Sequence, residues 1–219
     1  MTSKRVTSFV AGLALFGAVF SVQAVAADAS LTDDGLAPIK VKNIDKAWKR
    51  PGASLAGYDR ILIRPVAVAF ATRWNPRDYG TFGLKSEQVE KIRSTLAQLA
   101  SETFAKELRR GGYAIADKPG ENVLDVEAQI VDLYVNAPDV RSASIVRTYV
   151  LSAGEMRILV TLRDSVTGTT LYRASDFRRG PETGRLEYAD EIWNRVEAEL
   201  ALAGWARQLK NALDAAKTP

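Results

Sequence analysis

The order in which helix-like and strand-like hydrophobic patterns follow one another constrains the fold of this chain most. Apolar side chains in residues 86–110 recur at steps of three and four, which predicts a helix with one buried face. We expect Ser86 to cap this helix and Gly111 to end it. Residues 124–130 instead alternate apolar and polar side chains, as a strand with one buried face does.

A second helical pattern closes the chain, from about Tyr188 to Ala215. Gly204 lies inside this pattern and is a position where the helix could bend or be interrupted. The predicted buried stripe of this helix comprises Ile192, Val196, Leu200, Ala203, Ala206, Leu209 and Leu213. Two amphipathic helices therefore flank the strand patterns in the middle of the chain.

A hairpin is predicted shortly before the second helix. Residues 156–162 carry apolar side chains at every second position, and residues 169–178 return after a turn over residues 165–168. Gly168 suits a left-handed bulge position after a type I turn, and this geometry fixes the register of the two strands. The expected opposed pairs are Leu162 with Tyr172, Val160 with Ala174, and Thr161 with Arg173.

The remaining patterns complete the fold prediction. Tyr58 to Phe70 predicts a strand whose parity shifts at Pro65, where we expect an edge position or a bulge. A further strand is expected around Ser144 to Leu151. The order β-α-β-β-β-α predicts an α+β two-layer sandwich, with two helices on one face of a mainly antiparallel sheet. This single domain would span residues 58–219, after an extended lead-in over residues 27–57.

The N-terminal 26 residues have the features of an export signal. Lys4 and Arg5 precede an apolar stretch from Val6 to Phe20, and Ala24 and Ala26 supply the small residues that a signal peptidase reads. We therefore predict cleavage before residue 27 and a periplasmic location. The alternative is an uncleaved inner-membrane anchor, and both interpretations place the rest of the chain outside the cytoplasm.

The chain contains no histidine and no cysteine, which excludes several classes of function. Catalytic triads that use His or Cys, the usual nitrogen- and sulfur-ligated zinc sites and haem ligation by these residues are impossible. Without cysteine there is also no disulfide framework and no lipid anchor attached through a cysteine. No phosphate-binding loop, dinucleotide fingerprint or EF-hand loop occurs in the sequence, so we predict no cofactor and no metal.

The charge balance gives no reason to invoke nucleic acid as a partner. Removing a leader that contains Lys4 and Arg5 but no acidic residue lowers the net charge from +4 to +2. Such a nearly neutral chain lacks the basic surface that phosphate backbones select. The apolar fraction of 47% predicts a packed core, because disordered chains are much poorer in such residues.

Four segments carry a resemblance to a known family. They read GASLAGYDRILIRPVAVAF, GYAIADKPGENVLDVEAQIVDL, GEMRILVTLRDSVTGTTLYRA and WARQLKNAL. From about Gly35 to Leu213 the chain resembles the bacterial family of domain of unknown function 3313. The resemblance implies an exported protein with this fold and implies no catalytic residues. Many members are lipoproteins, whereas this chain has no cysteine to carry a lipid.

Three features are candidate sites, each with a structural alternative. The loop from Ala71 to Leu84 carries Trp74 and Tyr79, which would either contact a partner or fold back over the core. Arginines on the hairpin are predicted to share the face opposite Met156, where they would either bind anionic groups or form a charged, solvated surface. These arginines are Arg157, Arg163, Arg173 and Arg179. The third feature is a set of acidic residues, Asp125, Glu127 and Asp132, which would serve as an acid/base pair or as the wet side of a strand.

These observations predict a non-enzymatic binding or assembly protein of the bacterial envelope. Its partner would be another envelope protein or an acidic envelope component. Two alternatives remain open: a carboxylate-dependent hydrolase of a cell-wall polymer and a structural subunit of an envelope oligomer. A cleft with two carboxylates about 5–10 Å apart would favour the hydrolase. A large apolar surface patch would favour the oligomer, whose stoichiometry the sequence does not give.

Overall fold

The structure is a computed structural model that describes residues 32–79, 82–136, 149–150, 154–180, 187–188 and 191–218. The predicted leader and most of the strand expected around Ser144 to Leu151 lie outside the described residues. The strands are β1 (Ala37–Ile39), β2 (Lys46–Lys49), β3 (Arg60–Ile63), β4 (Ala67–Phe70), β5 (Ala114–Ile115), β6 (Val123–Val135), β7 (Tyr149–Val150), β8 (Gly154–Asp164), β9 (Thr170–Arg179) and β10 (Glu187–Tyr188). The helices are α1 (Ser86–Arg110) and α2 (Glu191–Lys217), and Pro76–Asp78 forms a short 3-10 turn.

Eight strands form one sheet in the order β1-β2-β9-β8-β6-β3-β5, and β4 also pairs with β6. Strands β7 and β10 pair separately as a two-stranded ribbon. The α+β class is confirmed, but the sheet is mixed: β3 and β4 run parallel to β6, whereas β8 is antiparallel to it. The parallel pairs arise because α1 is a crossover that returns the chain to the end of the sheet where β3 began.

The segment expected to be one strand, Tyr58 to Phe70, forms two strands separated around Pro65. Proline has no N–H to donate to a ladder, so the pairing breaks there and resumes at β4. Both strands lie along the same side of β6, which is 13 residues long. The register of β6 shifts between Val131 and Tyr134, and Asp132 adopts a left-handed backbone with φ of 53° within this bulge.

Helix α1 agrees with its predicted bounds and buried face. Leu96, Leu99, Phe104 and Leu108 are buried against the sheet and α2. The cap differs from the prediction: Lys85 is the N-cap residue, and its backbone N–H donates to the Gln88 side chain at 2.9 Å. This bond satisfies a backbone donor that has no partner inside the helix.

Helix α2 is continuous through Gly204, and among its described side chains the predicted stripe is correct only in the C-terminal half. The predicted Ile192 lies outside the described side chains. The predicted Ala206, Leu209 and Leu213 are buried together with Leu202 and Trp205, which the prediction omitted. Val196 and Leu200 are exposed, at 46% and 58%, so their prediction as core residues was wrong. Stepping by four residues drifts around a helix of 3.6 residues per turn, which carries these two side chains off the buried face.

The lead-in expected over residues 27–57 supplies two strands of the sheet. β1 pairs with β2, and β2 pairs with β9, with Trp48 opposite Arg173. Leu36 and Leu55 are buried beside these strands. Strands of three and four residues leave little alternation to detect, so the sequence did not indicate them. The core as a whole lies between the inner face of the sheet and both helices.

Candidate binding surface

The sheet has one face that no described helix covers. The apolar side chains of α1 and α2 pack with inner-face residues such as Val126, Ile158 and Leu162 in a single core. Because side chains alternate along a strand, their neighbours point to the opposite side. We call this side the helix-free face, and on the three central strands it comprises Asp125, Glu127, Gln129, Val131, Glu155, Arg157, Leu159, Thr161, Arg163, Arg173, Ser175, Phe177 and Arg179.

The register predicted for the hairpin is confirmed. Leu162 lies opposite Tyr172, and Val160 lies opposite Ala174. Thr161 lies opposite Arg173, and the register shifts immediately after Leu162, at the turn end of the hairpin. This register brings all four candidate arginines, Arg157, Arg163, Arg173 and Arg179, onto the helix-free face.

Each of these arginines already has a carboxylate partner from another element. Arg163 pairs with Glu127 on β6, and Arg173 pairs with Asp34, which precedes β1. Arg179 pairs with Glu155 across the hairpin, with 3.0 Å between Nη2 and Oε2. The face is therefore a set of interleaved charges of both signs, and the arginines do not form an open cationic patch.

Arg157 has the most complex surroundings of the four. Its Nε lies 3.3 Å from an oxygen of Asp132, and its Nη1 lies 3.8 Å from an oxygen of Asp45. Its guanidinium lies 5.3 Å from the centre of the Phe177 ring, within cation–π distance. The bulge in β6 directs Asp132 toward this arginine. Ion pairs and ring contact together hold the Arg157 side chain in place.

The carboxylates of Asp125 and Glu127 on β6 are likewise paired with arginines. Arg64 donates from Nε and Nη2 to both oxygens of Asp125, and these bonds are 2.9–3.1 Å long. Asp125 lies on the predicted face of the strand, but it is buried beneath Arg64 and is not a wet residue. The hydrogen bond from Arg163 holds the pKa of Glu127 below its usual value. A general acid needs a raised pKa, so Glu127 does not have the property required of the acid in a catalytic carboxylate pair.

Two aromatic side chains of the loop after β4, Trp74 and Tyr79, pack back onto the end of β6. The Trp74 ring is buried and stacks on Phe70 with 4.1 Å between centroids. Trp74 Nε1 donates to the Val135 carbonyl at 3.2 Å, and the Tyr79 hydroxyl donates to the same oxygen at 2.7 Å. Burial, with Tyr134 nearby, raises the pKa of Tyr79 to about 12. Trp74 and Tyr79 thus anchor the loop, while Phe82 is 98% exposed.

The loop and the arginines meet at one carboxylate. Glu155, which pairs with Arg179, also pairs with Arg73 from the loop. The Arg73 guanidinium lies 4.3 Å from the centre of the Tyr134 ring. The structure therefore joins the two predicted sites at the Glu155 end of the hairpin, through Arg73 and not through the predicted Trp74 and Tyr79.

Several residues of the surface were missed by sequence reasoning. Asp34 and Asp45 complete ion pairs with β8 and β9 arginines, yet both lie in the segment expected to be irregular. Trp48 and Phe177 place half-exposed rings on the face. Parity counted from Arg173 along β9 would have found Phe177, whereas no local pattern indicated the two aspartates.

Among the described residues, no helix is long and apolar enough to span a bilayer. No cluster of acidic side chains suited to hold a metal ion occurs in the part of the chain that the structure describes. The fold and this face define a class: an α+β protein whose mixed sheet carries two helices on one side and interleaved charges on the other.

Comparison with known proteins gives the family. The chain belongs to the family DUF3313, "Protein of unknown function", whose model matches residues 4–209. This confirms the resemblance noted from the sequence. No curated protein matches the chain in sequence.

Solved structures with a similar arrangement have little sequence in common with this chain. The PelC dodecamer from Paraburkholderia phytofirmans is 15% identical, with 75% of this chain and 96% of that chain covered and a TM-score of 0.39. A DUF330 protein from Xanthomonas campestris is 12% identical, with 76% and 93% covered and a TM-score of 0.40. A DUF4136 family protein from Bacteroides thetaiotaomicron is 13% identical, with 83% and 98% covered and a TM-score of 0.37.

Proposed function

We propose that this protein is a non-enzymatic binding or assembly protein of the bacterial envelope that docks another envelope protein on its helix-free face. The observation that carries the proposal is that the four arginines on this face are already paired with carboxylates. Each is held by a carboxylate from another element, and half-exposed apolar side chains such as Leu159 and Phe177 lie among them. Such a surface is preformed, rigid and chemically mixed.

Preformed arginines suit protein recognition for an energetic reason. A free arginine loses about 2 kcal/mol of side-chain entropy when a partner immobilises it, and the ion pairs remove part of that cost before binding. Arginine and aromatic residues are also enriched in the parts of interfaces that contribute most binding energy. Arg157 over Phe177 combines both residue types in one contact.

The charge pattern favours a protein partner over an anionic polymer. An acidic glycan would have to compete with Glu127 for Arg163 and with Asp34 for Arg173. A protein surface can instead present both signs and match the interleaved charges without breaking the pairs. The lowered pKa of Glu127 does not suit the general-acid role that the hydrolase alternative requires of one carboxylate.

The proposed location outside the cytoplasm follows from the features of the N-terminal leader. A positive start, an apolar stretch and the small residues Ala24 and Ala26 are the features that direct a chain to export. We therefore place the docking partner in the periplasm or at a membrane surface facing it.

Site-specific photo-crosslinking in living cells tests the docking surface. A photoreactive residue replaces Thr161, at the centre of the helix-free face opposite Arg173. We expect a discrete adduct that contains peptides of a second protein and whose yield falls at least several-fold when Arg157→Glu and Arg173→Glu are added, because reversed charges disrupt the pattern. The matched control, Arg109→Glu with Arg207→Glu, reverses two exposed helix arginines and should leave the adduct unchanged.

Three outcomes would contradict the proposal. The same adduct formed from position Gln98, which is exposed on α1, would show that capture does not depend on the face. An adduct in which peptides of this protein carry a glycan, with no peptides of a second protein, would identify a polysaccharide. An adduct unaffected by the reversal at Arg157 and Arg173, in a variant with an unchanged circular dichroism spectrum, would place docking elsewhere.

A further inference from the structure

Among the described residues, three strands of the sheet have one edge with no neighbouring strand along its whole length, and two of these edges are blunted. Strand β1 is three residues long, contains Pro38 and is followed by Lys40 and Lys42. Strand β5 is two residues long and is followed within four residues by a charged pair and a proline, Asp117, Lys118 and Pro119. Short length, proline and charge are the devices by which proteins prevent unwanted pairing at an edge.

Strand β4, which is four residues long, has no proline or charged residue of its own; Pro65 precedes it and Arg73 follows it. Residues 66–72 read Val-Ala-Val-Ala-Phe-Ala-Thr, with no charge and no proline. Among the described residues β4 pairs with β6 alone. Ala67 and Ala69 are exposed, whereas Val68 is buried in the core and fixes the strand in place.

The backbone groups on the open side of β4 follow from its pairing. The Ala71 N–H donates to the Leu133 carbonyl of β6 at 2.9 Å. Successive residues of a strand point their backbone N–H and C=O groups to opposite edges. The backbone groups of Ala69 therefore also point toward β6, and those of Val68 and Phe70 point to the open side. An unpaired edge of this kind is a template for another strand.

We propose that a second copy of this chain occupies the edge, with the two β4 strands paired antiparallel about a two-fold axis at Val68. A two-fold axis places identical segments opposite one another, so a strand that pairs with itself must avoid like charges at facing positions. β4 meets this condition, because Ala67 of one copy faces Ala69 of the other and both are small and neutral. The edges of β1 and β5 are shorter, and β1 contains a proline that cannot donate to a facing strand.

The pairing has a defined structural result. The two-fold axis runs perpendicular to the sheet, so both copies present their helix-free faces on the same side of one continuous sheet. The four arginines take no part in the pairing. The dimer therefore does not rest on the docking function proposed above, and either can fail without the other.

Charge substitution at the edge gives a test with an internal rescue. The full chain is expressed, purified, and its mass measured by sedimentation equilibrium over a range of concentrations. We expect the unchanged protein to dimerise reversibly, and both Ala67→Lys/Ala69→Lys and Ala67→Glu/Ala69→Glu to be monomers because like charges face one another. An equimolar mixture of the two variants should restore the dimer as a heterodimer. Ala114→Lys, at an exposed alanine of β5, is the control and should dimerise as the unchanged protein does.

Three results would overturn the proposal. An unchanged protein that remains monomeric at its highest attainable concentration would leave β4 to a strand from a different protein. Double variants that dimerise normally would place the dimer interface elsewhere. A mixture that stays monomeric, while each variant keeps its circular dichroism spectrum, would exclude pairing in this register.

Discussion

Trp205 donates its indole N–H to the buried carboxylate of Asp176 at 2.6 Å, and this bond ties α2 to β9. Asp176 also accepts from the Asp45 backbone N–H and from Arg178 Nε, both at 3.1 Å. The Arg178 guanidinium lies 5.3 Å from the Trp205 ring centre and close to Gly204, where an added Cβ would be 2.5 Å from Nη1. One carboxylate thus connects the lead-in, the hairpin and the last helix.

Removing that carboxylate should destabilise the fold clearly. We expect Asp176→Ala to lower the free energy of unfolding by about 1–3 kcal/mol, since it leaves the Trp205 and Asp45 donors without their partner. Urea denaturation at neutral pH measures the change. Asp117→Ala, at an exposed position, is the control and should stay within about 0.5 kcal/mol of the unchanged protein. Equal effects of the two substitutions would refute a structural role for Asp176.

The buried face of α1 makes a second stability prediction. Replacing Leu96 or Phe104 with Ala should cost about 2–5 kcal/mol, because each leaves a cavity in the core. Glu90→Ala and Glu102→Ala, on the exposed side of the same helix, should cost less than about 0.5 kcal/mol. Denaturant melts of the four variants check the order, and a reversed order would mean that the helix faces the other way.

A third prediction concerns helix α2. It distinguishes the buried stripe seen in the structure from the buried stripe expected from the sequence. Leu202→Ala should cost about 2–5 kcal/mol, since Leu202 is fully buried. Leu200→Ala should cost less than about 1 kcal/mol, because that side chain is 58% exposed and leaves little cavity. Thermal and urea melts of these two single variants decide the point. A larger loss from Leu200→Ala would support the stripe expected from the sequence.

The ion pair between Arg163 and Glu127 makes the stability depend on pH. The folded protein holds the pKa of Glu127 below its ordinary value, so this contribution is present above that ordinary value and is lost as the pH falls through the lower, folded-state pKa. When the pH is lowered from neutral to below the folded-state pKa of Glu127, the unfolding free energy of Glu127→Gln should therefore fall less than that of the unchanged protein. Urea melts across that range measure it, with Glu121→Gln as an exposed control. An unchanged pH dependence in Glu127→Gln would contradict the pairing.

Export makes a prediction about the N-terminus of the mature protein. Cleavage after the Ala24–Ala26 motif should give a chain that begins at Ala27. Intact-mass spectrometry of protein from the periplasmic fraction checks this directly. An intact Met1 would support the membrane-anchor alternative, and a start well past Ser30 would contradict the cleavage site.

Local patterns were sufficient for the central part of the fold. The turn ending at Gly168 and the alternation on both sides of it determined the hairpin register, because a slip by one residue would place Arg173 in the core. Helix α1 was equally well defined by its stripe. Strands β1 and β2 were not predicted, since their pairing depends on β9 far along the chain and not on any pattern of their own.

The candidate surface, like the fold, could be predicted from the sequence only in part. Parity along the hairpin was enough to bring Arg157 and Arg173 to one face. The carboxylates that neutralise them come from Asp34, Asp45 and the bulged Asp132, and a contact between distant segments leaves no trace in the spacing of either. Trp74 folds back because its indole N–H finds the Val135 carbonyl, which no property of the loop sequence indicates.

The attachment of β2 to β9 sets an order on folding. The Asp45 backbone and the Asp176 carboxylate that it contacts are 131 positions apart, so the paired strands β1 and β2 cannot join the rest of the sheet until β9 has been synthesised. Loop closure over such a separation is slow, and chains in that position expose unpaired strands to other molecules. A nascent chain of this protein would thus need protection at its N-terminal end, by a chaperone or by continuous transfer, until β9 arrives.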